Sequence, residues 1–339
     1  MKHKETSLQV GLVGAGLQGK RRVQALLAEG DRLLIVADTN LQSAQRLAQE
    51  MGCQSTTYWE EVITTPKVNV VLVCTPPYIQ APICIAALKV GKHVLCEKPM
   101  GCNLDEALAI AETAKRAGLK LKCGFNHRYH PGIQKLRQWV EAGHIGEIDF
   151  IRGRYGIGGR EEYNNEWRMN AEMSGGGELM DQGLHLLNLA HWFLGEFSQV
   201  FGFLSTRFWN VASIEDNAFA LVRTPQGQVA WLHASWTQWK NLFSFEIFGH
   251  DGYALVEGLG GSYGTERAIL GKRDLSKPFT EEVVEFRGED YSWREEWKHF
   301  KAAIAGRNDD TMEGQEALVV HRLASAIYQS AKTGSLVGL

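Results

Sequence analysis

The sequence predicts two domains of different class. The first is an N-terminal α/β domain whose parallel sheet is covered by helices on both faces. The second is a C-terminal α+β domain with a mainly antiparallel sheet. Three observations predict this. An apolar run, Val10-Gly-Leu-Val, passes through Gly14, Gly16 and Gly19 into a helical pattern. Apolar strands and amphipathic helices then alternate to about residue 125. Beyond Glu147 the strands lengthen, carry aromatics and are separated by turn signals. At 339 residues the chain is long enough for two domains, here expected over 1–125 and 126–339.

The elements follow in order. Short apolar runs mark strands at about Leu8–Val13, Leu33–Asp38, Val68–Cys74, His93–Cys96 and Leu119–Phe125. Helical patterns lie between them at Gln18–Ala28, Leu41–Met51, Ile79–Val90 and Leu104–Ala117. Gly52, Gly91 and Gly118 stand where helix C-caps are wanted. Pro131–Ala142 reads as one more helix. Later strands are expected at Ile148–Tyr155, Val200–Phe208, Asn217–Val222, Val229–Trp236 and Leu242–Phe248. Thr224-Pro-Gln-Gly227 and His250-Asp-Gly252 read as hairpin turns. Helices over Trp293–Ala305 and Glu313–Lys332 close the chain.

Composition removes several function classes. The net charge is −3 and no basic block or basic–aromatic repeat occurs, so no nucleic-acid footprint is expected. The densest basic cluster, Lys20-Arg21-Arg22, reads as a solvated helix face. Residues 1–7 contain no apolar leader core, and no run approaches 18 uninterrupted apolar residues, so neither export nor a membrane span is expected. A cytoplasmic protein follows. The six cysteines all fall in the first 123 residues without a CxxC pair. They read as small buried hydrophobes in a reduced compartment rather than zinc ligands or disulfides.

The glycine run reads as a dinucleotide loop, Gly14-Ala-Gly16-Leu17-Gln18-Gly19. Gly14 permits the turn, Gly16 lets the backbone approach a pyrophosphate, and Gly19 lets the helix pack on the strand. The helix N-terminus offers N–H groups and a positive dipole end to phosphate. Asp38 ends the second apolar run, 19 residues beyond Gly19, where an acid can accept hydrogen bonds from a ribose. That acid favours NAD over NADP, because a carboxylate repels a 2′-phosphate.

Ligands of parallel sheets sit at the carboxyl ends of the strands. Three strand ends are therefore informative: Thr75-Pro76-Pro77, Glu97-Lys98-Pro99 and Asn126-His127-Arg128-Tyr129. Lys98 is either a solvated loop cation or a donor to a substrate oxygen, and its place after a buried strand favours the second. Gly175-Gly-Gly177 leads into an apolar helical run that carries Asp181, His185, Asn188 and Trp192 at i, i+4, i+7 and i+11. On a regular helix these share one face. Buried carboxylate and imidazole groups are costly unless paired or used. They read as an internally satisfied pair or as an acid/base group oriented by an acid. Zinc is a third reading, but no third ligand of suitable spacing is evident, so no metal is expected. Trp167, Arg168, Asn126, Arg128 and Tyr129 suit a polyhydroxylated ligand, which needs flat apolar surfaces and many hydrogen bonds.

Taken together, these residues resemble the glucose–fructose oxidoreductase / inositol dehydrogenase / MocA (Gfo/Idh/MocA) family. The markers run in family order over nearly the whole chain: Gly14-x-Gly16-x-x-Gly19, Asp38, Thr75-Pro76, Glu97-Lys98-Pro99, Trp167-Arg168, and Asp181-x-x-x-His185 after the three glycines. The resemblance implies a Rossmann domain (a doubly wound parallel sheet) and a C-terminal domain with an open, mostly antiparallel sheet that commonly buries a dimer or tetramer interface. It implies NAD(P)-dependent chemistry at a secondary hydroxyl of a sugar, sugar derivative or cyclitol. Leu255–Tyr263 resembles members acting on activated or amino sugars. By the resemblance, Lys98, Asp181 and His185 fall on catalytic positions. Asn188 stands where the family often has aspartate. A glycosidase using NAD transiently and a non-catalytic dinucleotide sensor are the alternative functions.

Overall fold

The computed structural model describes residues 7–209, 214–276, 280–307 and 314–339. Residues 1–6, on which the leader reading rested, and Glu313 lie outside these. The chain divides into two compact units, residues 1–125 with 293–318, and residues 126–292 with 319–339.

The first unit is built on β1 (Gln9–Val13), α1 (Leu17–Ala28), β2 (Arg32–Ala37), α2 (Leu41–Met51), β3 (Gln54–Thr56), α3 (Trp59–Thr64), β4 (Val70–Val73), α4 (Gln80–Lys89), β5 (His93–Glu97), α5 (Leu104–Ala117) and β6 (Leu121–Gly124). Its six strands are all parallel in the order β3-β2-β1-β4-β5-β6. The order reverses between β1 and β4, which puts a ligand crevice at the carboxyl ends of those strands. Local chemistry sets the helix ends. Asn40 caps α2 by accepting from the Ser43 N–H, and Asn103 caps α5 by accepting from Glu106 N–H. Gly52 and Gly118 adopt the left-handed conformation as C-caps. Gly91 has φ +82° but follows the cap, which is Val90. β3 and α3 are absent from the sequence reading. The strand is three polar residues at a sheet edge, and the helix is under two turns, so neither carries a readable period.

The second unit contains α6 (Pro131–Glu141), β7 (Ile148–Gly156), α7 (Ala171–Ser174), α8 (Leu184–Leu194), β8 (Gln199–Ser205), β9 (Asn217–Arg223), β10 (Val229–Ser235), β11 (Leu242–Gly249), β12 (Gly252–Glu257), β13 (Glu266–Lys272) and β14 (Glu281–Phe286). Then come α9 (Ser292–Ile304), α10 (Gln315–Thr333) and β15 (Val337–Gly338). The sheet order is β14-β13-β12-β11-β7-β10-β9-β8-β15, antiparallel except for the β7–β10 pair. Both expected hairpin turns join antiparallel neighbours, β9 to β10 and β11 to β12.

Alternation explains how α8 packs. Ala218, Ala220 and Val222 of β9, with Ala230, Leu232 and Ala234 of β10, face inward. These small side chains let Leu186 and Leu187 of α8 reach the sheet. The intervening residues Phe219, Leu221 and Trp231 are exposed on the opposite face. Trp236, the last residue of the expected strand Val229–Trp236, and Trp239 both lie beyond the end of β10. Trp236 is fully buried in a small cluster with Tyr163, Met169 and Ile214, because β10 ends at Ser235. Trp239 is fully exposed in the loop that follows.

After its first residue α9 belongs to the first unit. Trp297, Phe300 and Ala303 join Val10, Leu12, Leu26, Leu72 and Leu95 in one core. Trp297 Nε1 donates to Asp31 Oδ2 at 2.7 Å, and Lys301 Nζ donates to Asp31 Oδ1 at 2.9 Å. Among the described residues no helix is long and apolar enough to cross a membrane.

Candidate active site

The dinucleotide loop divides its glycines by task. Gly14 has φ +99°, and a Cβ there would sit 2.5 Å from the Cys74 carbonyl oxygen at the end of β4. A Cβ on Gly19 would overlap the Gly14 carbonyl oxygen. Both are therefore required by packing. A Cβ on Gly16 would meet nothing within 4 Å, so its missing side chain leaves open space at the start of α1. Leu17 is 65% exposed beside it, and no side chain caps that helix. Gln18 Oε1 and Thr75 Oγ1 are buried with no hydrogen-bond partner among the described residues. Open space, an uncapped helix start and two orphaned polar atoms fit a polar ligand laid across the loop. Asp38 is tied to the same loop, its Oδ2 accepting from the Ala15 N–H at 2.7 Å and its Oδ1 from the Asn40 N–H at 2.8 Å.

The Glu97-Lys98-Pro99 turn closes β5. Lys98 is half-buried, and the Lys98–Pro99 peptide is cis. Gln80, fully buried, pins the turn: its Oε1 accepts from Gly101 N–H at 2.7 Å and its Nε2 donates to the Thr75 carbonyl at 3.1 Å. Thr75, Pro76 and the lysine turn are thus tied through a residue the sequence reading passed over.

One expectation fails here. Arg22 is 1% exposed rather than solvated. Its Nε donates to Glu97 at 2.7 Å, its Nη1 pairs with Glu296 of α9, and its guanidinium lies 4.5 Å over the Trp293 ring. Burial alone would lower the guanidinium pKa, but the Glu296 and Glu97 carboxylates outweigh it and hold the charge. Burial pushes Glu296 upward, against the pull of Arg22. Glu97 is consequently spent on this buried ion pair. The cluster Lys20-Arg21-Arg22 sits on a helix whose third basic residue turns inward, and the partner Glu296 lies too far along the chain to be read from periodicity.

In the second unit the segment after the three glycines departs from a regular α-helix. Leu179–Gly183 is a π-helical turn, and α8 begins only at Leu184. Asp181 lies in the π turn, so it does not share an α-helical face with His185, Asn188 and Trp192 as expected. Such single turns frequently occur at functional sites. Gly175 is a left-handed C-cap at φ +79°, while Gly176 and Gly177 are there for close approach. A Cβ on Gly176 would strike the Tyr328 hydroxyl, and one on Gly177 would strike the backbone of Glu215. The buried Glu215 carboxylate caps this turn, accepting from Leu179 N–H at 3.0 Å, Gly177 N–H at 3.3 Å and Tyr328 Oη at 2.8 Å. Burial raises its pKa against those hydrogen bonds.

Around the turn the structure gathers several predicted residues. Arg168 Nε lies 3.8 Å from Asp181 Oδ2, and its guanidinium stacks 4.5 Å from the Trp167 ring centre. Arg128 Nε donates to Asn188 Oδ1 at 2.6 Å. Asn126, His127, Arg128 and Tyr129 form one 3-10 turn after β6. His185 is 5% exposed and stacks on His127, with centroids 3.7 Å apart and planes at 24°. Tyr155 stands edge-on to His185, is tilted at 59° to His127 and lies 5.1 Å from Tyr263, whose hydroxyl accepts from Gln182 Nε2 at 3.3 Å. Burial first, then Tyr263, raises the Tyr155 phenol pKa well above its usual value. His127, Tyr155, Gln182 and Tyr263 were missed. His127 and Gln182 had a signal, each standing between residues already singled out, and Tyr263 closes the Leu255–Tyr263 stretch.

All six cysteines are free thiols. Burial pushes Cys53 up to about 11, and burial with the Glu106 charge does the same for Cys102. Among the described residues no three His, Cys, Asp or Glu side chains group as a metal site.

A parallel sheet of this order with an open glycine loop defines a dinucleotide-binding domain joined to a second, antiparallel α+β unit. Family comparison agrees in both parts. Residues 8–125 match "Oxidoreductase family, NAD-binding Rossmann fold", and residues 133–255 match "GFO/IDH/MocA C-terminal domain". The chain belongs to the Gfo/Idh/MocA family of oxidoreductases. It is 28% identical to the levoglucosan dehydrogenase of Pseudarthrobacter phenanthrenivorans, over 73% of this chain and 72% of that one. It is 27% identical to the D-glucoside 3-dehydrogenase of Escherichia coli, over 98% and 97% of the two chains. The inositol 2-dehydrogenase of Rhizobium meliloti is 28% identical over 56% of each. A solved levoglucosan dehydrogenase in complex with NADH and levoglucosan superposes with a TM-score of 0.89 at 26% identity, covering 98% of this chain and 99% of that one.

Proposed function

We propose that the protein is an NAD-dependent dehydrogenase that oxidises a secondary hydroxyl of a sugar, a sugar derivative or a cyclitol. The observation that carries the reading is the buried His185 imidazole, set at the head of an apolar helix beside a π turn that bears Asp181. Such a group is costly to bury unless it is paired or used. Relatives named for levoglucosan, glucosides and inositol support the substrate class.

NAD, when bound, supplies the hydride acceptor. His185 takes the hydroxyl proton as the carbinol hydrogen leaves with its electron pair, and a carbonyl remains. Lys98 donates a hydrogen bond to the same oxygen and stabilises its developing negative charge. Asp181, beside Arg168, carries the charge that orients the acid/base group and the neighbouring substrate hydroxyls. Trp167, Arg168, Asn126, Arg128 and Tyr129 hold the polyhydroxylated ligand. Gly14, Gly16, Leu17, Gln18, Gly19, Thr75 and Pro76 receive the cofactor, with Asp38 selecting NAD over NADP. In this reading Glu97 acts by anchoring the turn that bears Lys98. A second copy of the chain covers the exposed face of the nine-stranded sheet, giving a homodimer or homotetramer.

The test is NAD reduction by purified protein against levoglucosan, methyl glucosides, inositols, free sugars and nucleotide sugars. With the best alcohol, His185→Ala is expected to lower kcat by about 100-fold or more while NADH binding persists. Unchanged turnover in that variant would remove His185 from the chemistry.

A further inference from the structure

We propose that His127 is the positioning residue that fixes the plane of the His185 imidazole, an inference that rests on the role given to His185 above. The two rings stack with centroids 3.7 Å apart and planes at 24°, and both residues are buried. An imidazole's outer torsion is broad and roughly two-fold, so the ring's orientation is set by what surrounds it. A turn of His185 about that torsion would drive its edge into the face of His127. The edge of Tyr155, 6.2 Å away at 69°, flanks the same ring. The stack therefore leaves the ring a single plane, within which only a flip of 180° exchanges its nitrogens and carbons.

A positioning residue must itself be held, and His127 is. Its Nδ1 lies 3.3 Å from Asn126 Oδ1, and Asn126 Nδ2 donates to Ser292 Oγ at 2.8 Å. An amide oxygen only accepts, so this contact calls for a proton on Nδ1 of His127. Tyr155 at 5.1 Å and Phe243 at 5.9 Å close other sides of the ring. A flat side chain with a polar edge is needed here. The face packs on His185 and the edge is tethered to Asn126. Phenylalanine would keep the face and lose only the tether. Alanine would lose both.

The consequence is a split in kinetic effects. Proton transfer needs the base within hydrogen-bond reach and correctly aimed, and a displacement of about 1 Å costs on the order of 100-fold. Substrate affinity does not depend on the ring plane in this way. With NAD and whichever of levoglucosan, methyl glucoside or myo-inositol the wild type oxidises fastest, His127→Ala is expected to lose about 10- to 100-fold in kcat with KM changed by less than about threefold. His127→Phe is expected to recover most of the loss. His127→Leu, which fills the space without a flat ring, is expected to behave like alanine and serves if the alanine variant does not fold. Full kcat in His127→Ala or His127→Leu overturns the proposal, as does a phenylalanine variant no better than leucine.

A second measurement is independent of turnover. The ring-current shift of the His185 Cε1–H resonance should be present in the wild type and in His127→Phe, and lost in His127→Leu. Its absence from the wild type overturns the stack. Its presence in a protein that oxidises none of the three alcohols leaves the stack standing and overturns the dehydrogenase reading instead.

Discussion

Asp38 uses one carboxylate in two directions. Each oxygen already accepts one backbone N–H, from Ala15 and from Asn40. A carboxylate has about four acceptor positions, so capacity remains for two ribose hydroxyls. A 2′-phosphate offers no donor and brings negative charge to the same place. Two unit charges about 4 Å apart near a protein surface repel by roughly 4 kcal/mol, an effect that salt trims without removing. Fluorescence titration should therefore give a Kd for NADPH at least about tenfold above that for NADH. Asp38→Ser should narrow the ratio and also weaken NADH, because Ala15 loses its acceptor. Equal or tighter NADPH binding by the wild type contradicts the assignment. The contrast with Glu97 is instructive. Both acids stand at strand ends on the ligand side, but Glu97 is buried and its Oε1 is paired with Arg22.

At the scale of elements, Arg22 ties three of them together. It comes from α1, Glu97 from β5 and Glu296 from α9, and all three side chains are buried. Such a triad is weak evidence for net stability, since apolar replacements of the whole set can be neutral. Removing one member is different, because it strands the others. Arg22→Met should destabilise the first unit by about 3–5 kcal/mol, read by urea unfolding with Trp293 and Trp297 as fluorescent reporters. Adding Glu97→Gln and Glu296→Gln to that variant should restore part of the loss. A single substitution costing under about 1 kcal/mol would show that the stranded acids find water or protons cheaply. This triad also marks where sequence reading stops. The parallel strands and the caps Gly52 and Gly118 were legible, because their signals are local and periodic. The placement of α9 was not, since an amphipathic helix does not say which core receives its apolar face. Nor was the π turn, because Asp181 and His185 have the same sequence spacing in either helix type. His127 was visible as a residue but not as a partner, since stacking joins positions 58 apart in the sequence.

For the whole molecule, the exposed face of the nine-stranded sheet is the feature that asks for a partner. Along β9 and β10 the inward residues are mostly alanines, valine and leucine, while Phe219, Leu221 and Trp231 point outward. Register places Leu221 between Trp231 and Phe201, and Phe219 beside Phe203, which is 63% exposed. Phe150 and Phe248 stack at 4.6 Å on β7 and β11, continuing the apolar band across five strands. Scattered exposed hydrophobes are ordinary, but a contiguous apolar band on a sheet face marks an interaction site. Charges are set into it in pairs: Arg152 Nη2 reaches Glu246, 2.5 Å away, and the Arg152 guanidinium lies 4.7 Å over Phe248. A self-complementary patch of this kind suits a two-fold axis, where each copy offers the same strands to the other. Sedimentation velocity at micromolar protein should therefore show a dimer or tetramer. Placing a carboxylate in the band, as Leu221→Glu with Phe219→Glu, should release monomers, since each copy would bring unpaired charges to an apolar contact. Their folded state is checked by circular dichroism and NADH binding. A monomeric wild type, or a double variant that keeps its mass, would leave this face without the partner assigned to it.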